Sequence, residues 1–339
     1  MKMRIAKLTA VGKIELGEGP LPKIKKETDI LVKVKAVGIC GTDVHIFQSG
    51  RADVKLPRVM GHELSGIVTE TGKGVTKLKK GDRVVLDPVF ACGKCPVCKK
   101  GHKNVCADVK CFGVQMDGGF QDYIVAGEDS LYKIAKNVSF EQAALAEPFS
   151  IAANINARVG TGPGDLMVII GSGTIGLVTL QVAKMLGAKV LISDVEDAKL
   201  EAAKKCGADK TVNSKEKDLA KAVEAFAPGG ADIVLDAVGV SPLTELSFSF
   251  AAPTGRIGII GFDAKPVSIP PVNITKKELT IVGSRMNNHR FPAVVKWFKE
   301  DKLNIDLLIS RRYPVEEIQK AFEETIANVK NNIKTLILF

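Results

Sequence analysis

The sequence predicts an α/β protein with two domains, one rich in short β-strands and one built on a doubly wound parallel sheet. Its 339 residues are enough for two hydrophobic cores, at roughly 150 residues per domain. Over residues 1–150, short alternating apolar runs are broken by glycine and proline, which indicates half-buried strands. From residue 165 onward, continuous apolar strands alternate with amphipathic segments, which is typical of a parallel sheet with helices on both faces.

The β-rich part is predicted from alternating apolar and polar residues. Strands are expected at 30–39, 65–71 and 82–89, and segment 72–84 is expected to form a turn, a strand and a second turn. The apolar end of the chain, 335–339, is expected to pair back into this part, because an exposed apolar strand would promote aggregation.

The second part is predicted to contain six parallel strands, as in a complete dinucleotide-binding domain. The strands are expected at 166–171, 189–194, 210–213, 231–239, 256–262 and 278–284, with helices at 176–188, 196–206, 216–227 and 242–252. Two further helices are expected at 292–303 and 315–326. The predicted domains are therefore 1–151 with 288–339, and 152–287.

The composition excludes several classes of protein. Hydrophobic residues at 45% and charged residues at 25% are ordinary globular values, which excludes intrinsic disorder. The net charge is +10, but the lysines are dispersed and only 5% of residues are aromatic, so no nucleic-acid partner is expected. No apolar run reaches the ~18 residues of a membrane span, and the N-terminus lacks the apolar segment of a secretory signal. We expect a cytoplasmic protein with a small-molecule substrate.

Four of the seven cysteines form one compact motif, C-x₂-C-x₂-C-x₇-C. They are Cys92, Cys95, Cys98 and Cys106. Clustered thiols in a chain without a secretory signal indicate a metal rather than disulfides. Four thiolates fit a closed tetrahedral zinc site with a structural role, and an iron–sulfur cluster is the alternative.

A second group of metal-binding residue types is dispersed along the sequence. Cys40 and His62 are a thiolate and an imidazole suited to zinc, and two of the four histidines, His45 and His62, lie in these motifs. A third ligand is needed for a catalytic zinc, and the candidates are Glu63 and Glu147. The alternative for His62 is a histidine buried in the core. Cys111 and Cys206 belong to neither motif and are expected to be small hydrophobic residues.

A glycine-rich turn predicts a dinucleotide site. The sequence Gly171-Ser172-Gly173-Thr174-Ile175-Gly176 follows a predicted strand and opens a predicted helix. In such a turn, Gly171 permits the tight bend, Gly173 lets the backbone approach the pyrophosphate, and Gly176 lets the helix pack on the strand. The helix N-terminus then offers free N–H groups to the phosphates.

The residues after the second strand of this domain indicate NAD rather than NADP. Asp194 is expected to accept hydrogen bonds from the adenosine ribose and to repel a 2′-phosphate, with a helix N-cap as its alternative role. Lys199 lies one turn into the next helix and is a candidate for the same ribose. The later strand ends are expected to line the cofactor site with Val238, Ile260, Gly261 and Phe262, and Arg285 is a candidate for a phosphate or a carboxylate.

These motifs together resemble the zinc-containing medium-chain dehydrogenase/reductases. The likeness rests on Gly61-His62-Glu63-x₂-Gly66-x₅-Gly72-x₂-Val75, on the four-cysteine motif, and on the glycine-rich turn with Asp194. Glu147-Pro148-Phe149 and Gly283-Ser284-Arg285 favour the polyol and sugar-acid branch, which includes sorbitol, threonine and L-galactonate-type dehydrogenases. The resemblance implies a GroES-like catalytic domain, a Rossmann domain, NAD, two zinc ions per chain, and a homodimer or homotetramer.

The resemblance also implies roles for single residues. Cys40 and His62 would bind the catalytic zinc, Asp43 would hold the ring of His62, and Thr42 and His45 would form a proton relay. Glu147 stands where alcohol dehydrogenases proper carry a second cysteine. Either Glu63 binds the zinc, with Glu147 acting through water, or Glu147 binds it directly.

The function implied is hydride transfer between NAD and a secondary alcohol of a polyol, sugar acid or sugar phosphate. Two alternatives are a zinc-independent quinone reductase of the same fold and a non-catalytic dinucleotide-binding regulator. The first would lack Cys40, His62 and the four-cysteine motif, and the second would need a clustered basic face.

Overall fold

The computed structural model describes residues 2–261 and 264–339. The strands are β1 (Lys2–Ala10), β2 (Lys13–Pro20), β3 (Asp29–Ile39), β4 (Glu63–Thr71), β5 (Arg83–Leu86), β6 (Val89–Phe90), β7 (Lys110–Cys111), β8 (Tyr123–Gly127), β9 (Leu131–Lys133), β10 (Leu166–Ile170), β11 (Lys189–Asp194), β12 (Lys210–Asn213), β13 (Ala231–Asp236), β14 (Ala251–Ile259), β15 (Thr280–Gly283), β16 (Ile309–Pro314) and β17 (Lys334–Leu338). The helices are α1 (Gly41–Ser49), α2 (Pro96–Lys99), α3 (Phe140–Ala144), α4 (Ala146–Val159), α5 (Thr174–Met185), α6 (Asp197–Lys205), α7 (Leu219–Phe226), α8 (Ser241–Phe250), α9 (Pro271–Thr275), α10 (Phe291–Lys299) and α11 (Ile318–Ala327).

The chain divides into two compact units, Met1–Glu147 with Asn287–Phe339, and Pro148–Met286. The four-cysteine motif and the dispersed group with Cys40 and His62 lie in the first unit. The glycine-rich turn lies in the second. Among the described residues, no helix is long and apolar enough to cross a membrane. The predicted site residue Phe262 lies outside the described residues.

The first unit is built around a seven-stranded sheet. Its strands follow the order β16-β17-β3-β4-β5-β9, and β8 also pairs with β3. The strands predicted at 30–39, 65–71 and 82–89 are confirmed as β3, β4, and β5 with β6. β3 pairs with other strands on both of its edges, and it is buried at most positions.

The end of the chain belongs to this sheet, as predicted. β17 pairs antiparallel with β3, with Ile337 opposite Val37, and parallel with β16. Both Ile337 and Val37 are fully buried. A segment more than 290 residues downstream therefore completes the sheet next to β3, which positions Lys334 beside the end of that strand.

The prediction of a separate strand flanked by turns within 72–84 is wrong, since residues 72–82 form turns, bends and irregular chain before β5 begins at Arg83. The carboxylate of Glu128 accepts hydrogen bonds from the backbone N–H groups of Thr76, Lys77 and Leu78. A strand would pair these N–H groups with a neighbouring backbone. One buried side chain satisfies them instead, which leaves the segment free to turn.

The second unit contains the six-stranded parallel sheet that the sequence predicts. Its order is β12-β11-β10-β13-β14-β15, which is the doubly wound arrangement with a switch point beside β10. The buried faces of its strands include Val168, Leu191, Val234 and Ile257, each fully inaccessible. β14 begins at Ala251, so the helix predicted to residue 252 ends earlier, at Phe250.

Candidate metal centres and dinucleotide site

The four cysteines of the compact motif surround one point. Their Sγ atoms lie within 4.8 Å of one another, and those of Cys95 and Cys106 are 3.9 Å apart. The loop turns backbone N–H groups toward the sulfurs. Cys92 N–H donates to Cys106 Sγ and Cys95 N–H donates to Cys92 Sγ, each over 3.4 Å. We call residues 92–106 the cysteine loop.

The cysteine loop fits a tetrahedral zinc ion. With Zn–S bonds of ~2.3 Å, tetrahedral sulfurs lie about 3.8 Å apart, close to the Cys95–Cys106 separation. The N–H of Lys94 lowers the pKa of Cys92, and the N–H of Cys98 lowers the pKa of Cys95 to about 6. Both shifts favour the thiolates that bind metal, whereas burial raises the pKa of Cys98 to about 12, so this thiol would lose its proton when the metal binds.

Cys40, His62 and Glu63 form a second cluster, which we call the mixed centre. One ligand atom from each lies within 4.8 Å of the others. Cys40 follows β3 and is the N-cap of α1, while Glu63 is the first residue of β4. The antiparallel register of β3 and β4 sets Gly38 opposite Glu63, and this pairing brings the three residues together.

Asp43 organises the backbone of the mixed centre. It is fully buried, its Oδ2 accepts the N–H of Cys40 at 2.9 Å, and its Oδ1 accepts the N–H of Gly61 at 3.3 Å. Its Oδ1 lies 3.7 Å from His62 Nδ1, so these two side chains interact through charge rather than a hydrogen bond. Burial raises the pKa of Asp43. Burial lowers the pKa of His62, but the charges of Asp43 and Cys40 outweigh this and raise it well above its ordinary value.

The mixed centre also fits a metal ion. Glu63 is only 1% exposed and His62 only 6%. Glu63 Oε2 and His62 Nδ1 are buried without a hydrogen-bond partner among the described residues. Leaving the Glu63 oxygen unsatisfied costs about 1–3 kcal/mol, and a divalent cation would take it as a ligand. His62 Nδ1 faces Asp43 instead, so the metal would take the other ring nitrogen.

Glu147 lies near this centre. Among the described residues, however, it is not one of those whose ligand atoms lie within 4.8 Å of one another. It is the second residue of α4 and is buried. Burial raises its pKa to about 7, and the nearby charge of Glu63 acts in the same direction, while the charges of His62 and Lys334 oppose the shift. The geometry thus favours Glu63 over Glu147 as the carboxylate ligand.

The two residues of the implied proton relay lie on α1. Thr42 is half-buried and His45 is exposed. Residues three apart share one face of a helix, so the pair extends from the end of the helix that Cys40 caps toward solvent.

The glycine-rich turn has the backbone that its three glycines require. Gly171 has φ +98°, a left-handed conformation that other residues avoid. A Cβ on Gly176 would lie 1.9 Å from the carbonyl oxygen of Gly171, so the helix can approach the strand only with glycine there. A Cβ on Gly173 would meet nothing within 4 Å. The chain's own packing therefore does not require a glycine at this N-cap of α5.

Asp194 connects this turn to the end of β11. Its Oδ2 accepts the N–H and the hydroxyl of Ser172, at 2.7 and 2.9 Å. Its Oδ1 accepts the N–H groups of Val195 and Glu196, at 2.7 and 3.1 Å. Glu196 is the N-cap of α6, so Asp194 does not have the capping role considered as its alternative.

The other predicted cofactor residues lie in the same unit. Thr174 and Ile175 form the first turn of α5, Lys199 is half-buried on α6, and Val238 is 47% exposed after β13. Ile260 and Gly261 follow β14, where a Cβ on Gly261 would lie 1.9 Å from Gly239 Cα. Arg285 is exposed after β15.

The sequence did not indicate that two further residues, described below, lie near the mixed centre. Lys334 donates to Glu63 Oε1 at 2.7 Å, although 271 positions separate them. The charges of His62 and Glu147 act on Cys111, whose pKa burial raises to about 12, so this thiol lies near the centre. A lysine within the apolar sequence at the end of the chain was the available signal for Lys334, whereas nothing in the sequence singled out Cys111.

Two family descriptions match this chain. Residues 26–136 match the alcohol dehydrogenase GroES-like domain, and residues 174–300 match the zinc-binding dehydrogenase family. Among curated relatives, the starvation-sensing protein RspB of Escherichia coli K12 is 35% identical over 92% of either chain. D-arabitol-phosphate dehydrogenase of Enterococcus avium is 36% identical, over 91% of this chain and 89% of its own. Sorbitol dehydrogenase of Bacillus subtilis is 30% identical, over 99% of this chain and 97% of its own.

Solved structures show the same fold over the full length. An alcohol dehydrogenase of E. coli CFT073, solved with the cofactor NADH, has a TM-score of 0.95 at 32% identity, covering 100% of this chain and 99% of that one. A zinc-binding dehydrogenase of Sinorhizobium meliloti, solved with NADP, has a TM-score of 0.93 at 31% identity and covers 100% of either chain. Relatives of this chain therefore bind either dinucleotide.

Proposed function

Since the chain belongs to the zinc-containing medium-chain dehydrogenase/reductase family, in its polyol branch, we propose that it is an NAD-dependent dehydrogenase of a hydroxyl-rich substrate. The reaction would transfer hydride between a secondary alcohol of a polyol, sugar acid or sugar phosphate and NAD. The observation that carries this proposal is the mixed centre, where a cysteine, an imidazole and a carboxylate with one buried, unsatisfied oxygen converge. A zinc-independent reductase has no use for such a cluster.

In the proposed mechanism, Cys40, His62 and Glu63 would hold the catalytic zinc, and the cysteine loop would hold a structural one. When bound, the two groups would supply a Lewis acid for the substrate hydroxyl and a nicotinamide acceptor for the hydride. Thr42 takes part in removing the hydroxyl proton, and His45, exposed on the same helix, passes it to solvent. Asp43 keeps the Cys40 and Gly61 backbones in place around the metal.

We propose that the cofactor is NAD because of Asp194. Its carboxylate would repel the 2′-phosphate of NADP. Three of its four hydrogen-bond donors are backbone N–H groups, and the fourth is the rotatable hydroxyl of Ser172. A ribose hydroxyl would take the place of that fourth donor. Lys199 would reach the same ribose, and exposed Arg285 would meet a phosphate or carboxylate.

Two glycine variants separate cofactor binding from folding. Gly173→Ala adds a methyl group in open space, so the protein should fold normally and lose at least about tenfold in NADH affinity, or ~1.4 kcal/mol, if the pyrophosphate lies against this backbone. Gly176→Ala places its Cβ on the Gly171 carbonyl and should lower the melting temperature instead. Fluorescence titration with NADH and thermal unfolding measure the two effects. Unchanged NADH affinity in Gly173→Ala would place the cofactor elsewhere.

We also propose that the protein is a homodimer or homotetramer. β15 is the edge of the second unit's sheet in the described chain, and its Ile281 is 43% exposed. Exposed apolar edges commonly pair with a second copy. Sedimentation equilibrium gives the number of copies directly.

The function is tested by NAD⁺ reduction, followed through near-ultraviolet absorbance. The substrates are a panel of polyols, polyol phosphates and aldonates, each with and without a strong chelator, and an aliphatic alcohol is the matched control. We expect turnover on at least one hydroxyl-rich substrate, abolished by the chelator and restored by zinc. Zinc-loaded protein that binds NADH but turns over no member of the panel would contradict the proposal and favour a sensing role.

A further inference from the structure

Lys334 is buried to a degree that is rare for lysine. Its side chain is 2% exposed, and its ammonium donates to Glu63 Oε1 at 2.7 Å and to the Ile39 carbonyl at 3.1 Å. A buried charge is costly to desolvate, and a buried ion pair is often no more stable than an apolar pair of equal size. A stabilising role alone is therefore a poor reason for this pair.

The two carboxylate oxygens of Glu63 have different surroundings. Oε1 is held by Lys334, whereas Oε2 is buried with no hydrogen-bond partner among residues 2–261 and 264–339. Glu63 also belongs to the cluster with Cys40 and His62. A carboxylate with one oxygen fixed by an ammonium and the other unsatisfied is arranged to give one oxygen to a cation.

Gly38 makes room for the free oxygen. It lies opposite Glu63 in the pairing of β3 with β4, and a Cβ at this position would lie 2.0 Å from Oε2. The adjacent residue, Ile39, supplies the carbonyl that Lys334 also contacts. Residues of three neighbouring strands thus set the orientation of the Glu63 carboxylate. They are Lys334 of β17, Gly38 and Ile39 of β3, and Glu63 itself of β4.

From this arrangement we propose that Lys334 is a positioning residue that fixes Glu63 as a one-oxygen ligand of the metal in the mixed centre, with Gly38 leaving the space that this orientation needs. The inference rests on the proposed role of that centre as a metal site. It takes Glu63 as the carboxylate ligand, as the geometry of the mixed centre favours, and adds that a residue of a third strand fixes its orientation.

The test measures metal binding rather than turnover. Zn²⁺ affinity is measured by competition with a chromophoric chelator, and the visible spectrum of Co²⁺-substituted protein reports the ligand geometry at the mixed centre. Lys334→Met should weaken metal binding at the mixed centre by about 10–100-fold and alter the Co²⁺ spectrum, as expected for loss of a residue that orients a ligand. Lys334→Arg should restore most of both. Lys133→Met is the control, because Lys133 pairs with Asp82 at 2.6 Å in the same unit without contacting the centre.

A double-mutant cycle separates positioning from general packing. In a Glu63→Gln background, Lys334→Met should have no further effect on affinity or spectrum, because the residue it acts through is gone. The double variant also removes both buried charges, so it should fold even if Lys334→Met alone does not. Gly38→Ala should reproduce the weaker binding with Lys334 intact, since its methyl group displaces Oε2.

Some outcomes would overturn the role of Lys334 alone, and one would also overturn the proposed function. Equal loss of affinity from Lys334→Met with and without Glu63, or no change in either background, would overturn the positioning role while leaving the metal centre in place. Wild-type protein that binds metal in the cysteine loop alone would overturn both this inference and the proposed function.

Discussion

The cysteine loop and the mixed centre are two ways of building a metal site within one unit of the chain. The cysteine loop takes all four ligands from residues 92–106, and its own N–H groups face the sulfurs. The mixed centre takes Cys40 from the end of β3 and His62 and Glu63 from the start of β4, and Lys334 of β17 adjoins it. One site is local in sequence and the other depends on the assembled sheet.

The difference in burial bears on the role that each proposed metal would have. Three of the four loop cysteines are half-buried, whereas His62 is 6% exposed and Glu63 only 1%. A partly exposed loop has little apolar core, so a metal bound there would supply its folding energy. The mixed centre is held by strands that pair without it. Removing metal should therefore unfold the loop and leave the mixed centre folded but inactive.

The largest expected effect is on activity, from His62→Ala. Losing the imidazole should remove the metal of the mixed centre and lower kcat/KM at least about 10³-fold, since polarisation by the metal is worth several kcal/mol. Zinc content should fall from two equivalents to one, with far-ultraviolet circular dichroism unchanged. Loss of both metals, or activity within tenfold of wild type, would contradict the division between the two sites.

Cys98→Ser should have the opposite profile. It removes one of four ligands in the cysteine loop, so the loop should become sensitive to proteolysis and the melting temperature should fall by about 5–10 °C, from ~3 kcal/mol of lost stability. The remaining metal should be that of the mixed centre, and kcat/KM should fall less than tenfold. The comparison would fail if Cys98→Ser abolished activity at an unchanged melting temperature.

The same contrast explains what the sequence could predict. The four-cysteine spacing and the Gly171–Gly176 turn are local, so ligand chemistry and turn geometry can be inferred from a few neighbouring residues. Continuous apolar runs likewise located the six strands of the parallel sheet, with β11 and β12 predicted to the residue. These features depend on short-range chemistry alone.

Other features depend on contacts between distant segments. The contact of Lys334 with Glu63 exists only because β17 lies beside β3 and β3 beside β4. The prediction for 72–84 failed because Glu128, about 50 positions away, satisfies that segment's N–H groups. Helix α4, which starts at Ala146, was not predicted because it is buried on nearly all sides, so its sequence lacks the exposed polar face that marks a surface helix.

A pH-dependent effect of intermediate size is expected for Glu147 in metal-free protein. Its raised pKa, about 7 against an ordinary 4.5, means that the folded state holds a proton that the unfolded state releases. Stability should therefore fall as pH rises from about 4.5 to about 7, by up to ~3 kcal/mol at 1.36 kcal/mol per unit. Glu147→Gln should show a shallower fall than wild type when urea unfolding is measured at pH 5, 6, 7 and 8 in chelator, because Asp43 and His62, whose pKa values are also raised, contribute in both proteins. Zinc-loaded protein is the control, because the cation favours the charged carboxylate. Parallel pH profiles for the two metal-free proteins would refute the prediction.

The smallest effect, from Asp43→Asn, measures how far the backbone around the mixed centre depends on one buried carboxylate. Asparagine keeps the shape but has one acceptor oxygen for the two N–H groups, of Cys40 and Gly61, that Asp43 now accepts. Metal affinity at the mixed centre should fall about 10–100-fold while that of the cysteine loop stays unchanged. Asp82→Asn is the matched control, since Asp82 also accepts a backbone N–H, that of Lys79, away from either site. Competition with a chromophoric chelator measures the metal affinities of the mixed centre and the cysteine loop separately. Equal weakening of the two affinities would mean that Asp43 supports the whole unit. A selective loss would mean that the mixed centre, unlike the cysteine loop, is held in place by side chains that do not themselves bind the metal.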